Sequence, residues 1–288
     1  MTGSDVAALP IPVNGVELAV QVAGSGPPIV LVHGSLDDHR AWERIVPQLA
    51  DSHLVVTYDR RGHGGSSCPP GQGRISEDVE DLAGVLRALE LNAPLVVGHS
   101  YGSCVTMLLG AHHAGLTGGL LVHEPPLFTL LRDDTSSRQL AEEASKHLRR
   151  AADLITMGAV AQGLRHFVDY AAFGPGTWDT LFTSEIRRIC LTNAETWLDQ
   201  SRDPTRLAVR PELLTGYAHP LVVSHGEASL PIYSQIVTLI VAALPRSRRH
   251  MVRGGHAPHL SHPADFAELV LSCARETAGR AASHAATE

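Results

Sequence analysis

Ser100 stands in Gly98-His99-Ser100-Tyr101-Gly102, a G-x-S-x-G run. The apolar stretch Leu95–Val97 before it reads as a buried strand, and Tyr101–His113 after it has a helical pattern. A serine at so tight a strand-to-helix turn takes strained backbone angles, and flanking glycines remove side chains that would collide there. The helix also points its dipole and free N–H groups at the serine. That setting suits a nucleophile, whose proton a histidine must take. A carboxylate then orients the histidine and stabilises the imidazolium. The strand after this helix ends His123-Glu124-Pro125-Pro126. Parallel strands bring their C-terminal ends to one edge, with neighbours about 4.8 Å apart. Glu124 is therefore expected beside Ser100.

The elements that must position these residues alternate along the chain. Short apolar, β-branched runs occur at Val16–Val22, Pro28–Val32, Leu54–Tyr58, Leu95–Val97, Gly119–Val122, Leu221–Ser224 and Arg249–Val252. Several show no polar alternation, as in strands buried on both faces of a mainly parallel sheet. Helical patterns lie between them at Ser76–Leu91, with Ser76 as its expected cap, and at Tyr101–His113, Ile232–Leu244 and Pro263–Thr277. From Pro125 to about Ala218 the alternation stops, and helices are expected at Ser136–Met157, Ala159–Tyr170 and Ser184–Asp199. This interval reads as a helical insertion. The small, polar tail from Ala278 is expected to fray.

With these elements in order, the chain resembles the α/β-hydrolase superfamily from about residue 15 to residue 275. The resemblance implies a mostly parallel eight-stranded sheet flanked by helices, with a core at 1–124 and 219–288 and a helical cap at 125–218. Val32-His33-Gly34-Ser35 matches the loop that approaches the nucleophile. By position, the backbone N–H groups of Ser35 and Tyr101 form the oxyanion hole, and His33 is a structural loop residue. Asp59-Arg60-Arg61-Gly62-His63-Gly64-Gly65-Ser66 resembles the family's D-x-R-G-x-G-x-S turn, also structural. Gly255-His256-Ala257-Pro258-His259 resembles its G-H-x-x-H stretch. This makes His256 the general base, with His259, packed at the start of the final helix, as its competitor.

The third member departs from the family pattern. Where H-G-x-x-D is usual, this chain has His225-Gly226-Glu227-Ala228-Ser229, so Ser229 takes the acid's place. Glu124 is assigned the orienting role, with Glu227 as the alternative. Some members, among them haloalkane dehalogenases and the fungal zearalenone lactonases, take their acid from the strand that Glu124 ends. The latter also share a serine nucleophile and a similar His-Glu-x-Pro segment. Ser100 argues against epoxide hydrolase and dehalogenase chemistry, which use aspartate at this turn. The expectation is a serine hydrolase cleaving an ester or lactone of a bulky apolar or aromatic small molecule. The insertion's Phe128, Phe167, Tyr170, Phe173, Trp178, Phe182 and Trp197 suit such a substrate. A carbon–carbon bond hydrolase and a non-catalytic receptor on the same fold are the alternatives.

Composition narrows the partners. The net charge of −7 and scattered basic residues argue against nucleic acid. No apolar run reaches the roughly 18–20 residues of a membrane helix, and the N-terminus lacks a signal-peptide pattern. The four cysteines show no CxxC and read as reduced thiols in a cytoplasmic protein. No cofactor and no metal are expected. The oligomeric state is left open, a homodimer included.

Overall fold

The computed structural model describes residues 8–69, 71, 73–207 and 209–285. Its eight strands are β1 (Leu9–Val13), β2 (Val16–Ala23), β3 (Pro28–Val32), β4 (Leu54–Tyr58), β5 (Leu95–His99), β6 (Gly119–His123), β7 (Leu221–Gly226) and β8 (Arg248–Val252). They form one sheet in the order β1-β2-β4-β3-β5-β6-β7-β8. The pairs from β4 to β8 are parallel, and β1 and β2 are antiparallel additions at one edge. The apolar pattern marks seven of these strands but not β1, whose Pro10 and Pro12 speak against a strand. They are tolerated because β1 lies at the edge. Its register is set by a two-residue Asn14–Gly15 hairpin with both φ angles positive.

Strands β5 and β6, apolar but for their terminal His99 and His123, are buried along their whole length, because helices cover both faces of the sheet. On one face pack α2 (Ile75–Ala88), α3 (Tyr101–His112) and α10 (Pro231–Ala243); on the other, α1 (Val46–Ala50) and α12 (Pro263–Ala285). Alternate strand residues serve the two cores: Val30, Val96 and Val122 face one, Leu31, Val97 and Leu121 the other. Two expectations change here. Helix α2 starts at Ile75, so Ser76 lies inside it rather than capping it. Glu77 accepts from the Arg74 N–H instead, and Asp203 from the Ile75 N–H. The last helix does not fray at Ala278 but runs to Ala285.

Between β6 and β7 lie α4 (Phe128–Asp133), α5 (Arg138–Thr156), α6 (Val160–His166), α7 (Thr177–Thr180), α8 (Ser184–Thr192) and α9 (Ala194–Arg202), with the short α11 (Pro258–Ser261) later, before α12. No strand occurs among the described residues of this stretch. The run expected as one helix at Ala159–Tyr170 is α6 followed by a wider π turn over Phe167–Ala172. The run expected at Ser184–Asp199 is divided at Asn193, whose side-chain amide donates to the Leu36 and Asp37 carbonyls. These helices hold an apolar cluster of their own around Leu164, Trp178 and Trp197, which Leu36 joins from the sheet side. Further bonds tie them down, from Thr196 Oγ1 to the Gly62 carbonyl and from the Gly73 N–H to Asp199. Among the described residues, no helix is long and apolar enough to cross a membrane.

Candidate active site

Strand order decides what meets at the edge. Chain order reverses between β3 and β5, and ligands of open α/β sheets bind where it does. Ser100 leaves β5 there with φ 52° and ψ −120°, a conformation uncommon for a residue with a side chain. The close approach around it demands glycine. A Cβ on Gly98 would stand 2.5 Å from both the Gly102 carbonyl and Thr106 Oγ1. One on Gly102 would stand 2.3 Å from the Val32 carbonyl. The turn is tied by the Ser100 N–H to the His123 carbonyl and by Ser103 Oγ to the Gly98 and His123 carbonyls.

The β5–β6 register pairs His99 with His123, so Glu124 stands level with Ser100 on the next strand. Glu124 also has a positive φ, 50°. Its carboxylate is completely buried and would be costly without partners. It accepts from His256 Nδ1 at 2.6 Å through Oε2, and from the Gly226 N–H at 2.7 Å through Oε1. Burial alone would raise its pKa. The hydrogen bond from His256 and the nearby His123 outweigh this and hold it below the usual carboxylate value. Ser229, in the family's usual acid position, lies near enough to help lower that pKa, yet its Oγ falls outside hydrogen-bond geometry. Glu227 is exposed.

His256 follows β8. The Tyr233 ring stacks on it at 4.5 Å and Phe173 meets it edge-on at 4.7 Å. His99 Nε2 bonds to its backbone carbonyl at 2.8 Å, fastening its loop to the end of β5. His256 and Ser100 face one small cavity. His259 lies apart, buried against Trp42 and His99.

Ser35 follows β3, the other neighbour of β5, and faces the same space as Ser100. Tyr101 opens α3, and first-turn N–H groups have no partner within their helix. The Ser35 loop is clamped by Arg60, which donates through Nε to the His33 carbonyl and through Nη2 to the Gly34 carbonyl. Arg60 is itself buried and paired with Asp78 at 3.1 Å. His33 is saturated, with Nδ1 on the Gly34 carbonyl and Nε2 accepting from the Arg60 N–H. His63 Nε2 lies 3.0 Å from the Ser35 carbonyl, and burial pushes its pKa down to about 3. Asp59 is occupied by His39 and Gly65.

Ser100 also lines a second cavity. Phe128, Phe167 and Trp197 from the inserted stretch line it, with Tyr233 and Arg206. Not every aromatic of the insertion faces this space: Tyr170 is half exposed and stacks on His147.

Residues 29–269 match the model of the alpha/beta hydrolase family. The chain belongs to that family. An uncharacterized hydrolase of Bacillus subtilis (strain 168), YraK, is 36% identical over 141 residues, which are 48% of this chain and 52% of that protein. The chain thus spans about half the length of that relative. A 2-hydroxymuconate semialdehyde hydrolase of Pseudomonas sp. (strain CF600) is 24% identical over 265 residues, 89% of each chain. Among solved structures, a thermophilic esterase from Thermogutta terrifontis superposes with TM-score 0.73 at 21% identity, over 96% of this chain and 99% of that one. This last likeness is one of fold.

Two groups in this α/β hydrolase site escaped sequence reasoning. Arg60 lies in a turn read only as structural, and its grip on the Ser35 loop could be inferred from the parallel neighbours β3 and β4. Arg206 sits in a stretch without periodicity, and no sequence signal marks it.

Proposed function

We propose that the chain is a serine hydrolase that cleaves a carboxylic ester or lactone through an acyl-enzyme on Ser100. The observation that carries this reading is the buried Glu124–His256 pair facing a serine at a strained strand-to-helix turn. Ser100 Oγ attacks the carbonyl carbon while His256 Nε2 takes its proton. Glu124 holds Nδ1–H and so leaves Nε2 as the accepting nitrogen. The N–H groups of Ser35 and Tyr101 receive the oxyanion, each such donor being worth about 2.7–4 kcal/mol in this chemistry. His256 then returns the proton to the leaving oxygen, and water, activated by the same nitrogen, frees the acid.

The helices between β6 and β7 act as the cap, and their aromatic lining favours a small molecule with a bulky apolar portion. A carbon–carbon bond hydrolase is the second reading, favoured by the match to the Pseudomonas semialdehyde hydrolase along most of both chains. Treatment with a fluorophosphonate probe and mapping of the adduct tests the shared machinery. Labelling at Ser100 that disappears in His256→Ala is expected. A folded protein that takes no label would remove the catalytic reading and leave a ligand receptor. Turnover of an ester and lactone panel then separates the two hydrolytic readings.

A further inference from the structure

Arg206 lies on a short 3-10 turn, Pro204–Leu207, and lines the cavity that also holds Ser35, Ser100 and Tyr101. The rest of that wall is largely apolar, with Phe128, Trp197 and Tyr233 prominent. A guanidinium is always charged and carries five donors. Nε of Arg206 is buried with no hydrogen-bond partner, and among the described residues no carboxylate forms an ion pair with this side chain. Arg60 and Arg61, which are more deeply buried than the half-buried Arg206, have carboxylate oxygens at 3.1 and 2.6 Å.

Among the described residues no neighbouring carboxylate forms an ion pair with Arg206, although the charge of Asp203 favours its charged form from a distance. Asp203 is engaged by the Ile75 N–H and by the N–H and hydroxyl of Thr205. Asp78 belongs to Arg60 and accepts from the Tyr101 hydroxyl. Burial pushes the Cys104 thiol up to about 12 and raises the Tyr101 hydroxyl well above its usual value, so both stay neutral. Burial also lowers the pKa of Arg206 itself, which is the mark of a cation short of compensation. A partly buried cation whose Nε lacks a partner, set beside an apolar cavity, is stabilised by an anion that enters to pair with it.

We propose that Arg206 is a binding subsite for a carboxylate carried by the substrate, placed in the cavity that Arg206 and Ser100 both line. The inference rests on the serine-hydrolase reading and narrows its substrate to an ester or lactone bearing a free acid group. The planar guanidinium fork matches a carboxylate bidentately. A phosphate monoester, with close to two charges, would need a second cation, and among the described residues no other Lys or Arg lines this cavity.

The test compares mono-p-nitrophenyl glutarate with the uncharged p-nitrophenyl valerate, in the wild type and in Arg206→Gln and Arg206→Lys. The wild type should favour the glutarate ester in kcat/KM. Arg206→Gln should shrink the acid-to-neutral ratio by about 10- to 100-fold, the usual worth of a hydrogen bond to a charged group. Arg206→Lys, which keeps the charge but loses the fork, should fall between. If turnover of these esters is too slow, free glutarate should slow fluorophosphonate labelling of Ser100 in the wild type and not in Arg206→Gln. An unchanged ratio, or labelling indifferent to glutarate, overturns the subsite while Ser100 still reacts with the probe. Absence of any labelling of the wild type overturns the underlying hydrolase reading instead.

Discussion

Replacing Glu124 by glutamine removes one charge and changes almost nothing else in shape. The side chain is fully buried and held by two bonds, from the Gly226 N–H to Oε1 and from His256 Nδ1 to Oε2. Glutamine can keep the first with its amide oxygen. Its NH2 group then faces His256 Nδ1 and can only donate, so the ring proton moves to Nε2. That nitrogen can no longer accept the Ser100 proton, and the imidazolium loses its counter-charge. The equivalent change in a serine protease lowers kcat by about 10⁴-fold. A loss of about 10³- to 10⁴-fold in kcat is expected here, with KM changed by only a few-fold. Steady-state hydrolysis of a p-nitrophenyl ester measures it, and circular dichroism shows whether the variant is folded. A folded Glu124→Gln protein within ten-fold of wild-type kcat would remove Glu124 from the proposed triad. Collapse of activity in Glu227→Gln instead would move the role to the loop after β7.

Other consequences can be measured independently. Gly102→Ala should cost about 1–3 kcal/mol or more from overpacking, because its Cβ would press on the Val32 and His33 carbonyls. In a domain of this size that lowers Tm by roughly 2–10 °C. It should also weaken fluorophosphonate labelling, and wild-type values for both would contradict the close approach. Arg60→Met leaves the Asp78 carboxylate buried and unpaired, so urea unfolding should show a loss of about 3–5 kcal/mol. The double variant Arg60→Met/Asp78→Leu should recover much of it. Stability should also fall in acid. Burial pushes His123 down to about 4 and His63 to about 3, and holds His33, His99 and His259 well below the usual value. The unfolded chain therefore binds protons near pH 6.5 that the native state refuses, so this stability is present above about pH 6.5 and lost below it. Asp37, pushed up to about 7 by burial and by Asp38, works the other way and offsets one histidine. The net fall between pH 6 and 5 should exceed about 1.4 kcal/mol per pH unit, and a flat denaturation midpoint over that range would contradict the burial of these rings.

What could be read from the sequence was what repeats or is locally periodic. The buried strands β3 to β7 are short apolar runs, and the G-x-S-x-G segment sits between a strand and a helix that both announce themselves. Less was legible where tertiary contact overrides local pattern. The capping role expected of Ser76 goes to Glu77 and to Asp203, which arrives from 128 residues away. The π turn at Phe167–Ala172 leaves no trace in the helical period. The acid position shows both sides of this. Composition alone says that Ser229 cannot replace an aspartate, and strand adjacency says that Glu124 ends beside Ser100. Only the assembled sheet explains how, under the proposed assignment, a glutamate just past β6 can reach the histidine that the resemblance pairs with an acid after β7. The two strand ends are neighbours, and the Gly226 N–H at the end of β7 holds Glu124 Oε1 while Oε2 reaches His256. The positive φ of Glu124 is the backbone's means of turning that side chain inward, and it lies just before two prolines that stop β6 from continuing.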